Sequence, residues 1–105
     1  MCAAWVALED MDEANGTVTY YPGSHKLEVM NYSHMSEKLY VPEDLSEQFY
    51  VEQYEPVISK LMKVHNIQAK ALTIKKGDIL IWSANLIHGG LPVKDKSRSR
   101  WSQVT

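Results

Sequence analysis

Short runs of β-branched and aromatic residues, each closed within a few positions by a turn signal, most limit what this chain can fold into. Asn15-Gly16, Pro22-Gly23 and Lys75-Lys76-Gly77-Asp78 cut the sequence into pieces too short for long helices. Between them Ala3 to Leu8, Thr17 to Tyr21, Ala71 to Ile74 and Ile79 to Trp82 read as strands. Asn15-Gly16 is the strongest of the turn signals and predicts a hairpin joining the first two strands. One segment breaks the pattern. In Pro56 to Val64 the apolar residues Val57, Leu61 and Val64 recur at i, i+4 and i+7, with Pro56 suited to a first turn and Asn66 to a stop. Residues 27 to 55 show no clean period and predict an irregular insertion, the kind of long loop that serves as a lid or binding element. The expected fold is mostly β, an antiparallel sandwich or jelly roll with one short inserted helix.

At 105 residues the chain has room for one small domain. Its net charge of −2 argues against a nucleic-acid or anionic-membrane surface, because counterion release needs clustered cations. The basic run Lys94 to Arg100 is interrupted by Asp95 and reads as a solvated loop plus one functional arginine. Cys2 is the single cysteine, so no internal disulfide forms and a reducing, cytoplasmic setting is expected. No apolar run approaches a membrane span. Both ends are strand-like, at Ala3 to Leu8 and at Trp101 to Thr105, where a domain ordinarily has polar, exposed segments. The chain is therefore expected to be part of a longer one.

The chemistry concentrates late in the chain. Ile87-His88-Gly89-Gly90 follows the strand Ile79 to Trp82 and precedes Arg98 and Arg100. This reads as a strand, a turn carrying a histidine, and a return strand opening on an arginine. A neutral imidazole holds a transition metal, and a guanidinium forks onto a carboxylate. Glycines beside the histidine let the backbone turn tightly and leave room for a ligand. One histidine does not make a metal site, and a lone His before Gly-Gly is more often structural. Arg100, flanked by Trp101 and Val104, is expected to be partly buried, which calls for an anion beside it. Other polar residues have plainer readings. His25 holds a turn by hydrogen bonding; His34 and His65 are exposed; Asp78 is a turn residue; Trp82 and Tyr20-Tyr21 are core or pocket wall. Glu9, Asp10, Asp12 and Glu13 lack the spacing of a calcium loop and read as a solvated hairpin loop.

Three blocks, Ala4-Trp5-Val6-Ala7-Leu8 through Asn15-Gly16, then Tyr21-Pro22-Gly23-Ser24-His25-Lys26, then Lys76-Gly77-Asp78 through His88-Gly89-Gly90 to Arg100, occur in an order and spacing that resembles the phytanoyl-CoA dioxygenase family of Fe(II)- and 2-oxoglutarate-dependent oxygenases. The resemblance spans nearly the whole chain except residues 27 to 55. It implies a double-stranded β-helix, here incomplete, and iron held by two histidines and one carboxylate. Two of those ligands come from a His-x-Asp motif upstream of the Trp5 strand, and no His-x-Asp or His-x-Glu occurs in this sequence. His88 matches the family's late iron-binding histidine. Arg100 matches the arginine that pairs with the far carboxylate of 2-oxoglutarate. Arg98 competes for that role, but Trp101 to Thr105 continues the last core strand in register with Arg100. Trp5 matches an aromatic position that lines the co-substrate pocket, and Pro22-Gly23-Ser24-His25 an architectural signature. The implied activity is hydroxylation of a small organic substrate with dioxygen, with residues 27 to 55 covering the substrate and the isolated chain inactive. The alternatives are a non-catalytic, cupin-like binding module with a structural His88, and a related halogenase.

Overall fold

A computed structural model describes residues 1–28, 48 and 50–105. Strand β1 (Cys2–Ala7) presents two faces: Trp5 and Ala7 are buried, whereas Ala4 and Val6 are only half covered. It pairs antiparallel with β4 (Ile79–Ser83) on one side and β6 (Ser102–Val104) on the other. A second sheet has β2 (Val18–Tyr20) at its centre, flanked by β3 (Lys70–Ala71) and β5 (His88–Gly90). The orders are β4-β1-β6 and β3-β2-β5. Among the described residues, only β2 and β3 are successive strands within one sheet. At every other step the chain crosses to the opposite sheet.

Asn15-Gly16 therefore does not close a hairpin, because β1 and β2 lie in different sheets. The Asp12 side chain accepts the Ala14 N–H, and Asn15 reaches back to the Asp12 N–H. This box caps a 3-10 turn at Glu13–Asn15, and Gly16 follows in the left-handed region at φ 76°. The turn signal is real, but it redirects the chain between layers. The expected strand Ala71 to Ile74 is likewise shorter. Only Lys70–Ala71 pairs within the sheet, and Ile74 bridges to Met11 as the chain crosses over.

The inner faces meet in a core of Trp5, Ala7, Met11 and Ile74, with Val18 and Leu72 from the second sheet and Leu80 and Trp82 from the first packed against it. Trp5 lies opposite Leu80 and Val104, and Val18 opposite Gly90. Directly paired residues share a face, so Tyr20 and its partner His88 belong to the inner face of the second sheet with Val18 and Gly90. Ile79 and Ile81 fall on the outer face of the first sheet and are exposed.

The helix α1 (Glu55–Val64) carries Pro near its start, as its sequence predicts. A π-helical turn at Tyr50–Tyr54 leads into it, so the end of the expected irregular insertion is regular. Of that insertion, residues 29–47 and 49 lie outside the described residues, His34 among them. The buried helix residue is Met62; Val64, expected on the apolar stripe, is exposed. Asn66, left-handed at φ 53°, turns the chain back so that the Ile67 N–H donates to the Met62 carbonyl at 2.9 Å. That return covers the Met62 side of the helix. Among the described residues no helix is long and apolar enough to cross a membrane.

Candidate functional site

His88 does not sit in a turn. The turn after β4 falls at Ala84-Asn85, and His88 opens β5. The lead-in is pinned by the Pro-Gly-Ser-His block: the Ser24 hydroxyl accepts the Ile87 N–H at 2.9 Å, and Asn85 Nδ2 donates to the His25 carbonyl at 2.7 Å. The buried Ser24, not the His25 ring, does the holding. His88 Nδ1 lies 2.8 Å from the Leu86 carbonyl oxygen. A carbonyl only accepts, so Nδ1 carries the hydrogen and the neutral ring keeps its lone pair on Nε2. Metal-binding histidines are oriented by this kind of backbone bond. The ring also packs against Trp82 of the opposite sheet, centroids 4.9 Å apart at 56°. Because β5 is an edge strand, His88 to Gly90 stay exposed.

The two arginines have opposite surroundings. Arg98 Nη1 donates to both oxygens of Asp12, at 2.9 and 3.0 Å, and Nη2 to the Asp10 carbonyl at 3.2 Å. Its charge is thus neutralised within the protein. Arg100 Nη1 donates to the carbonyls of Gly16 at 3.0 Å and Leu91 at 3.1 Å, and no carboxylate pairs with it among the described residues. It stands just before β6 and is exposed, as is Trp101, rather than partly buried as the flanking apolar residues suggest. No strand beyond β6 covers that edge among the described residues. A Cβ built on Gly90 would lie 3.7 Å from Arg100 Nη1. Side chains two apart on a strand share a face, so the guanidinium occupies the face of β5 that His88 also faces, about 7 Å along the strand.

The early carboxylates are not a merely solvated loop. Asp10 pairs with Lys75 at 2.9 Å and accepts the Lys76 N–H, and Glu13 pairs with Lys94 at 3.1 Å. Glu9 accepts the Ser99 hydroxyl and the Trp101 N–H. Their partners lie far away in sequence, which hides the pairing from any local reading. The bonds to Glu9, Asp10 and Asp12 favour their charged forms. The Ser99 hydroxyl and Trp101 N–H hold Glu9 below the usual carboxylate range, the Lys76 N–H and Lys75 do so for Asp10, and Arg98 does so for Asp12.

Alongside β5 runs an open cavity of about 800 Å³. One wall is Ala84 to Gly90; the other is Tyr50, Tyr54, Ile58 and Leu61 of the helical segment. Tyr50 and Tyr54 stack at 5.2 Å. Tyr50 and Tyr54 fall in the segment 27 to 55 expected to cover a substrate, and Leu61 on the expected helix stripe; Ile58 has no signal in the sequence. Trp5 is in the core between the sheets and is not on this wall. His65, just past the helix, is exposed and does not line the cavity.

No three His, Cys, Asp or Glu side chains converge as a metal site among the described residues. His88 has no second such side chain grouped with it as a ligand set, so the described residues alone do not fit an iron ion. Arg100 is chemically suited to a carboxylate, because its guanidinium pairs with none among the described residues. The family model described as phytanoyl-CoA dioxygenase matches residues 1–100. Searches of curated proteins and of solved structures each found no match.

Proposed function

Because this chain belongs to the phytanoyl-CoA dioxygenase family, whose members are typically Fe(II)- and 2-oxoglutarate-dependent enzymes, we propose that it forms the part of an oxygenase core that carries one iron ligand and the co-substrate anchor. The alternation of successive strands between two sheets supports a double-stranded β-helix as the parent architecture. The observation that carries the reading is the shared face of β5: the His88 imidazole and the Arg100 guanidinium, which meets no carboxylate among the described residues, stand about two residues apart along it.

In this reading His88 offers Nε2 to the metal while the Leu86 carbonyl holds its ring. Arg100 keeps Nη1 on two backbone carbonyls and turns its remaining N–H groups to the far carboxylate of 2-oxoglutarate. Trp5 supports the inner face beneath them, and the cavity beside β5 takes a small organic substrate, with dioxygen as the other reactant. The Tyr50–Tyr54 wall limits water access to it. The remaining iron ligands come from outside this sequence, so the chain alone turns over no 2-oxoglutarate. The setting is cytoplasmic.

The test is a succinate-release screen of the complete protein with and without Fe(II), set beside this chain alone and His88→Ala. Iron-dependent release by the complete protein, lost with bound iron in His88→Ala and absent from the isolated chain, is the expected result. A complete protein that binds iron equally well without His88 contradicts the reading. It would favour the binding-module alternative if release is also nil.

A further inference from the structure

Arg100 is reached from a part of the chain that has no chemistry of its own. Its Nη1 is held by the Gly16 carbonyl, 84 positions earlier, and by the Leu91 carbonyl. Gly16 is in the left-handed region at φ 76°, which a side chain rarely adopts. The space is closed as well. A Cβ there would stand 2.7 Å from the Leu91 carbonyl oxygen and 3.1 Å from Arg100 Nη1, the two atoms that define the seat. Next to it Asn15 is buried, 1% exposed, and ties both strands of the crossover together. Its Nδ2 donates to the Ser99 carbonyl at 2.8 Å and to the Asp10 carbonyl at 3.2 Å, and its Oδ1 accepts the Asp12 N–H at 2.9 Å. Ser99 is the residue that launches Arg100. Asn15 thus fixes the backbone of the arginine, and Gly16 fixes its head.

We propose that Asn15 and Gly16 are positioning residues for the carboxylate co-substrate: they hold the Arg100 guanidinium over Gly90, at a fixed reach from His88, with its charge left for the ligand. The inference rests on the reading of Arg100 as co-substrate anchor. It explains why the neighbouring cation is treated differently. Asp12 of the same loop takes up Arg98, so the loop neutralises one arginine and offers the other only uncharged carbonyls.

The test is calorimetric binding of 2-oxoglutarate to the complete protein, loaded with a redox-inert divalent metal, for Gly16→Ala, Asn15→Asp and Arg100→Lys, singly and with each of the first two combined with the third. Thermal unfolding checks each variant, and Asn15→Asp keeps the test open if Gly16→Ala does not fold. The expected result is a loss of affinity of about tenfold or more for Gly16→Ala and Asn15→Asp, the scale of a hydrogen bond to a charged group. In the Arg100→Lys background that loss should largely vanish, because all three act on the same contact. A merely structural role would give a loss that persists undiminished in that background, which overturns the inference. Full affinity in both single variants while Arg100→Lys is weakened also overturns it, yet leaves the anchor reading intact. Unchanged affinity in Arg100→Lys overturns both.

Discussion

The crossover at Glu9 to Gly16 and the edge strand β5 stand close together and are built on opposite terms. In the crossover the charged and amide side chains find partners: Lys75, Lys94, Arg98, Ser99 and the backbone of Lys76 and Trp101. Along β5 the imidazole's Nδ1 is held by a carbonyl, Gly89 faces open space, and the Arg100 guanidinium over Gly90 meets no carboxylate among the described residues. Charge that serves architecture is cancelled in place. The Arg100 charge, which the proposed function gives to a ligand, is steered by neutral carbonyls and meets no carboxylate among the described residues. Four of the residues that make this distinction, Asp12, Gly16, Arg98 and Arg100, lie in just two short segments.

Both regions hang on the core beneath them, so its loss is the largest effect expected. Trp5→Ala should lower stability by about 3–5 kcal/mol, read as a fall in the urea midpoint. A near-neutral Trp5→Ala would mean that the two sheets do not share the packing described. Asn15→Ala should cost about 1–3 kcal/mol, because it leaves two carbonyls and an N–H in a buried place without partners. A cost no greater than that of an ordinary surface substitution would show that the crossover is not braced.

Acid should loosen the crossover further. Glu9, Asp10 and Asp12 have folded-state pKa values depressed by their bonds, so their contribution is present in full above the unfolded carboxylate value. It is lost as the pH falls below about 4 and through the lowered folded values. The thermal midpoint should therefore drop over that window, and Asp12→Asn should flatten part of the drop. A midpoint independent of pH there would remove the pairing from the account. The smallest effect expected is at Thr17, buried with an Oγ1 that has no partner among the described residues. Thr17→Val should be neutral to slightly stabilising; a clear loss would reveal a partner for that hydroxyl.

Much of this was legible in the residues. The strands at Trp5, at Thr19-Tyr20 and at Leu80-Ile81 and the helix start at Pro56 follow from turn chemistry and hydrophobic period, and it is the family resemblance that singles out His88 and Arg100. What was not legible depends on which layer a strand joins. Asn15-Gly16 has the chemistry of a hairpin turn, and nothing local says that the next strand enters the other sheet. His88 before Gly-Gly reads as a turn because glycines weaken strands, yet Ser24 and β2 draw it into an edge ladder. The choice of Arg100 over Arg98 rests in the sequence on strand register alone. In the structure the two differ through Asp12, whose claim on Arg98 spans 86 positions.

The most direct measurement is 2-oxoglutarate affinity in Arg98→Ala beside Arg100→Ala, in the complete, metal-loaded protein. Arg100→Ala should lose affinity by about a hundredfold, the loss of a forked charge-assisted contact, with little change in thermal midpoint. Arg98→Ala should keep most of the affinity and lose some midpoint instead. The reverse pattern, or equal losses from both, would contradict the division of labour between the two arginines.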